Sequence, residues 1–230
     1  MNHLLLFDID GTLISGGPAK DAFHEGLLAA YGTVGNIDGV AFSGKTDRQI
    51  ARELLRGAGL TDTEIDAGLE TLISTYLAGL EARLPETPVQ VLPGVGDLIQ
   101  KLAERTDVAL GLVTGNVEGG ARLKLAADGL DRHFRIGGYG SDSEHRNDLP
   151  GIALERARDA WSVDFDPERV VVIGDTPADV ECGKAHGLRT MAVATGSFTL
   201  ETLYQTGADS VVPDFAEVDQ IVARLTGTFA

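Results

Sequence analysis

Leu4-Leu5-Leu6-Phe7-Asp8-Ile9-Asp10-Gly11-Thr12 is the stretch on which the fold turns. Its first four residues are wholly apolar and lack period-two alternation, the signature of a parallel strand buried on both faces. Similar runs recur at Val108 to Val113, Val170 to Ile173 and Thr190 to Ala194, each closing in a polar or glycine-rich turn. Helical spacing marks Leu98 to Glu104, Pro150 to Trp161 and Pro177 to His186. Pro177 suits a first helical turn, and Gly187 suits a helix end. Strand and helix alternate from about residue 90, which predicts an α/β fold with a doubly wound parallel sheet.

The first strand stands apart from the rest. The next convincing strand lies about 100 residues beyond Asp8, far more than a crossover needs, so a segment is inserted between them. Residues 18–84 read as consecutive helices broken near Gly32 to Gly44 and Gly57 to Leu60. Thr61 and Glu64 form a capping box that opens the longest of them. The division predicted is a core of residues 1–15 and 86–230 and an all-helical cap of residues 16–85, with hinges near Ser15 to Pro18 and Pro85 to Pro93. Gly137-Gly138-Tyr139-Gly140 lacks a dinucleotide-binding fingerprint and reads as a loop.

Composition limits the function classes. The chain has 230 residues, 43% of them hydrophobic and 23% charged, enough apolar material for a core and too ordinary a mixture for global disorder. Its net charge of −16 argues against nucleic acid or an anionic membrane as partner. One cysteine, Cys182, allows neither an internal disulfide nor a cysteine-rich zinc site. No run approaches a membrane span, and the short apolar start is cut off at Asp8. A soluble, cytoplasmic protein is expected, as a monomer or homodimer.

Asp8 and Asp10 end a buried strand, at the sheet edge where open α/β folds bind ligands. Two carboxylates at that edge suit separate roles, one as a nucleophile toward phosphorus and the other as acid and then base. An acidic strand-to-loop turn would use the same residues without chemistry. Thr114-Gly115-Asn116 closes the second strand with a hydroxyl and a flexible backbone amide, either a phosphate cradle or simply a turn. Gly174-Asp175-Thr176-Pro177-Ala178-Asp179 brings further carboxylates to the edge. They would repel one another without a divalent cation, and oxygen ligands with phosphate favour Mg²⁺. Asp179 suits a helix dipole equally well.

These residues resemble the haloacid dehalogenase-like superfamily of phosphohydrolases over nearly the whole chain. Its first motif matches at Asp8 to Thr12, its second at Thr114 and its fourth at Asp175 and Asp179, in order. The resemblance implies Asp8 as nucleophile and Asp10 as general acid and base. It also implies Mg²⁺ held by Asp8, the main-chain carbonyl of Asp10 and Asp175, with Asp179 in support. The family's third motif is usually a lysine. The position here is assigned to Arg146, which precedes a helix just before the fourth motif, and Lys124 is its rival. Ile14-Ser15-Gly16-Gly17 lacks the acidic residue common after this motif in phosphoglycolate phosphatases, so their substrate does not carry over.

Lys45 and Arg48, in Phe42-Ser43-Gly44-Lys45-Thr46-Asp47-Arg48, are candidate contacts to substrate from the cap, or else a solvated helix start. Gly115 and Asn116 are candidate substrate contacts from the core. The expected activity is Mg²⁺-dependent hydrolysis of a small phosphomonoester metabolite through an aspartyl-phosphate. A phosphomutase using the same carboxylates is the alternative, and a non-catalytic phospho-receiver is a more distant one that Asp10 and the large cap argue against.

Overall fold

The structure is a computed structural model and describes residues 1–227. The first strand, β1 (His3–Phe7), is buried at every residue, as a strand with a sheet neighbour on each side must be. A short β2 (Ile14–Gly16) leads into three helices, α1 (Ala19–Tyr31), α2 (Asp47–Gly57) and α3 (Asp62–Arg83). The chain returns through β3 (Val89–Val91), α4 (Val95–Ala103), β4 (Val108–Thr114), α5 (Glu118–Ala126) and β5 (Ile136–Tyr139). It then continues through α6 (Leu149–Trp161), β6 (Val170–Gly174) and α7 (Pro177–Ala185). The last elements are β7 (Arg189–Val193), α8 (Leu200–Gln205), β8 (Ser210–Val212) and α9 (Val218–Thr226).

Six strands form one parallel sheet in the order β5-β4-β1-β6-β7-β8. The winding reverses at β1, with β4 on one side and β6 on the other. This is the switch point at which such sheets open a crevice at their carboxyl ends. Phe7 lies beside Leu112 and Ile173, so Asp8, Thr114 and Asp175 emerge at the same edge.

The cap helices form as predicted. Thr61 Oγ1 accepts the Glu64 N–H and the Glu64 side chain accepts the Thr61 N–H, closing the capping box that starts α3. The helices α1 and α3 pack together, and their apolar faces belong to the same core as Phe7 and Ile173.

At the two ends of the inserted segment β2 and β3 pair as a two-stranded antiparallel ribbon, Ile14 opposite Val91 and Gly16 opposite Val89. Three residues per strand carry no readable periodicity. One expectation needs correction: Gly137 to Tyr139, read as part of a loop, lie in the fully buried β5. A Cβ at Gly138 would stand 2.1 Å from the Leu149 carbonyl oxygen, so glycine is needed where the start of α6 presses on the strand.

Candidate active site

The carboxyl ends of β1, β4 and β6 open under the cap into a cleft of about 340 Å³. Asp8 continues β1, its N–H donating to the Ile173 carbonyl at 2.8 Å. Its buried carboxylate meets the guanidinium of Arg146, Nη2 to Oδ1 3.0 Å. Burial outweighs that partner, and with Asp179 and Asp10 nearby the Asp8 carboxyl is pushed up to about 7.

Asp175, following β6, is raised to about 8, first by burial and then by the charges of Asp8 and Asp179. Thr12 Oγ1 donates to its Oδ1 at 3.2 Å. Gly11, with φ of 85°, lies so close that a Cβ there would sit 2.5 Å from Asp175 Oδ2. The glycine of the first motif therefore leaves room for the carboxylate from the next strand.

Carboxylate oxygens of Asp8, Asp175 and Asp179 come within 4.8 Å of one another, all buried. Such a cluster of hard oxygen donors, two of them with raised values, can hold a small divalent cation. Asp179 has competing partners. Its Oδ2 accepts the Thr176 N–H at 3.0 Å and the Thr176 hydroxyl at 2.7 Å, which caps α7, and its Oδ1 receives Arg146. The Asp179 side chain thus caps α7 and stands in the acidic cluster at the same time.

Asp10 is held apart from that cluster. Lys124 Nζ donates to its two oxygens at 2.9 and 2.7 Å, and Asn116 Nδ2 donates to Oδ2 at 2.7 Å. Loss of surrounding water pushes the Asp10 carboxyl up, though its side chain keeps 46% of its surface exposed, and the charge of Lys124 with these hydrogen bonds leaves it lowered. Arg146 and Lys124, rivals in the sequence, are both in the cleft: Arg146 serves Asp8 and Asp179, Lys124 serves Asp10. Thr114 Oγ1 accepts Asn116 Nδ2 at 2.8 Å, and Lys124 donates to Asn116 Oδ1 at 2.7 Å. Asn116, expected to touch substrate, therefore also orients the Asp10–Lys124 pair.

The loop before α2 docks on this edge. Asp47 N–H donates to the Gly115 carbonyl at 2.8 Å, and Asp47 Oδ2 accepts the Val117 N–H at 2.8 Å. A Cβ at Gly115 would stand 2.0 Å from the Lys45 carbonyl oxygen, so glycine lets the cap loop lie against the core. Thr46 Oγ1 donates to the Glu144 carbonyl at 2.9 Å and Arg52 Nε to Glu144 Oε2 at 2.8 Å. Lys45 lines the cleft with its ammonium paired to Glu53. Arg48 is not among the cleft-lining residues. Asp47 and Tyr76, which line the cleft, were missed as site residues: Asp47 opens α2 and Tyr76 lies within α3, and neither carries spacing that points to a sheet edge elsewhere in the chain.

The family model for haloacid dehalogenase-like hydrolases matches residues 3–187, and the chain belongs to that family. It is 28% identical over 225 residues to a phosphoglycolate phosphatase of Rhodospirillum rubrum, spanning 95% of this chain and 90% of that protein. It is also 27% identical over 227 residues to the tyrosine-protein kinase PtkA of Mycobacterium tuberculosis, spanning 95% of this chain and 71% of that one. Among solved structures, a hydrolase from Pseudomonas syringae superposes with a TM-score of 0.71 at 20% identity, covering 99% of this chain and 100% of that one. Among the described residues, no helix is long and apolar enough to cross a membrane.

Proposed function

We propose that this chain is a Mg²⁺-dependent phosphatase that hydrolyses a small phosphomonoester metabolite through an aspartyl-phosphate on Asp8. The observation that carries the reading is the separation of two carboxylates in one cleft: Asp8 sits against Arg146 and the acidic cluster, while Asp10 is held away from it by Lys124 and Asn116. Family membership and the phosphatase relative support it.

An Asp8 oxygen attacks phosphorus as the bond to the leaving oxygen breaks, and Asp10 delivers its proton to that oxygen. Asp10 then removes a proton from water as the water oxygen attacks phosphorus. Inorganic phosphate leaves, and the Asp8 carboxylate is restored. In the free protein Lys124 favours ionised Asp10. An arriving phosphate dianion competes for the Lys124 charge and opposes that ionisation, which supplies the condition for Asp10 to take up its proton. Arg146 offers the transferring oxygens a fixed positive charge, with a buried Nε that has no hydrogen-bond partner. Asp8, Asp175 and the Asp10 carbonyl would hold Mg²⁺, which when bound neutralises charge on the phosphoryl group.

Release of inorganic phosphate from a panel of phosphorylated metabolites, with Mg²⁺, tests the reading. Turnover by the wild type that is lost in Asp8→Asn is expected. No release from any ester by folded, Mg²⁺-supplied protein would overturn it.

A further inference from the structure

The cleft presents charge on its core side and carbon on its cap side. Phe23 of α1, Ile50 of α2 and Tyr76 of α3 line it at 6%, 7% and 2% exposure, and half-buried Phe42 faces the same space. Phe23 and Tyr76 meet edge to face, ring centroids 5.6 Å apart, so each holds the other in place. These side chains come from three separate elements of the cap and form one apolar wall.

The cap-side charges do not suit an anionic tail. The Lys45 ammonium is paired with Glu53, whose other oxygen accepts Gln49 Nε2 at 3.0 Å and is thereby held in position. Asp47 lines the same cleft. Lys20 also lines it, but stands exposed on the first turn of α1, where water screens its charge. A carboxylate entering this side would lose water against aromatic carbon, face Asp47, and find Lys45 already engaged by Glu53. Burying a charge without a partner costs more than an exposed lysine returns. An apolar body would instead cover carbon surface. The volume, about 340 Å³, is at the small end of small-molecule sites and suits a phosphoryl group with a leaving group of about one ring.

We propose that the preferred leaving group is an uncharged alcohol with an apolar or aromatic body held by Phe23, Phe42, Ile50 and Tyr76, and that the Glu53–Lys45 pair disfavours carboxylate-tailed esters. This rests on the phosphatase reading and narrows its substrate class. Glu53 is a specificity residue acting through Lys45.

The test compares kcat/KM for benzyl phosphate and 2-phosphoglycolate, both esters of alkyl alcohols, on the Mg²⁺-loaded protein, beside the affinities of benzylphosphonate and phosphonoacetate measured by calorimetry. Benzyl phosphate should lead by about tenfold or more, the scale on which apolar pockets discriminate, and benzylphosphonate should bind more tightly. Glu53→Gln should move the ratio toward phosphoglycolate by about tenfold, and Phe42→Ala, with its fold checked by circular dichroism, should lower benzyl phosphate alone. A wild type that prefers phosphoglycolate, or a ratio unmoved by Glu53→Gln, overturns the proposal. If no ester is hydrolysed the phosphatase reading falls, and the phosphonate affinities still decide the subsite: tighter phosphonoacetate overturns it.

Discussion

Lys124, on α5, donates from one ammonium to both oxygens of Asp10, 114 residues earlier in the chain, while Arg146 serves Asp8. Each of these two carboxylates thus has its own cation. The consequences for the two are opposite: Asp10 is held ionised in the free protein, and Asp8 is raised by burial despite its partner.

Lys124→Ala removes the charge that holds the Asp10 carboxyl low. The Asp10 carboxyl should then rise, shifting the alkaline limb of the kcat/KM profile, which reports the protonated general acid, to higher pH and lowering kcat on the order of 100-fold, within the range of general acid and base effects. Arg146→Ala should lower kcat more than it raises KM and move that limb less, because Lys124 is the larger influence on Asp10. A pH–rate profile for each variant separates the two roles; an unmoved limb in Lys124→Ala would reject its assignment.

Asp8→Asn should abolish turnover, by on the order of 10⁴-fold or more for loss of a nucleophile. The same change takes a repelling charge away from Asp175 and Asp179. Thermal melts of the metal-free proteins are therefore expected to show a Tm for Asp8→Asn no lower than that of the wild type. A large drop would mean that the Arg146–Asp8 contact outweighs the repulsion.

Stability of the metal-free protein should depend on pH in a defined direction. Asp8 at about 7, Asp175 at about 8 and Asp47 at about 6 each stand above their unfolded value of 3.8. Between those values the folded state holds more protons than the unfolded one, so stability falls as pH rises through the window. Tm measured in chelator should be lower near pH 8 than near pH 6, and Mg²⁺ should raise it more at the higher pH because the ion binds the ionised carboxylates. An equal Mg²⁺ effect at both would contradict the shifts.

Gly115→Ala places a methyl group where the Lys45 carbonyl lies, and Asp47→Ala leaves the Val117 N–H without its acceptor. Both should loosen the cap loop, raising KM by roughly three- to tenfold with a smaller change in kcat, the pattern of lost positioning. Hydrogen exchange should increase across residues 42–47. Unchanged protection there would place the latch elsewhere.

The carboxylates and their order along the chain were legible in the sequence, because short apolar runs predict buried parallel strands and a parallel sheet brings their ends to one edge. Asp8, Thr114 and Asp175 follow from that regularity alone. So does the inserted helical segment, since the gap after β1 is too long for one crossover and the Thr61 capping box is a local signal.

Whether a given cation faces Asp8 or Asp10 was not legible. Lys124 and Arg146 are separated from their partners by many residues and stand on different helical segments, so their pairing depends on how α5 and the turn before α6 pack onto the sheet. Tertiary structure alone also brought Asp47 to Val117, set Lys45 at the cleft, and paired β2 with β3. Local sequence determines which strand ends carry charge, because backbone periodicity acts over a few residues. Which charges meet is decided by packing between distant segments, where burial and competing partners set each group's state.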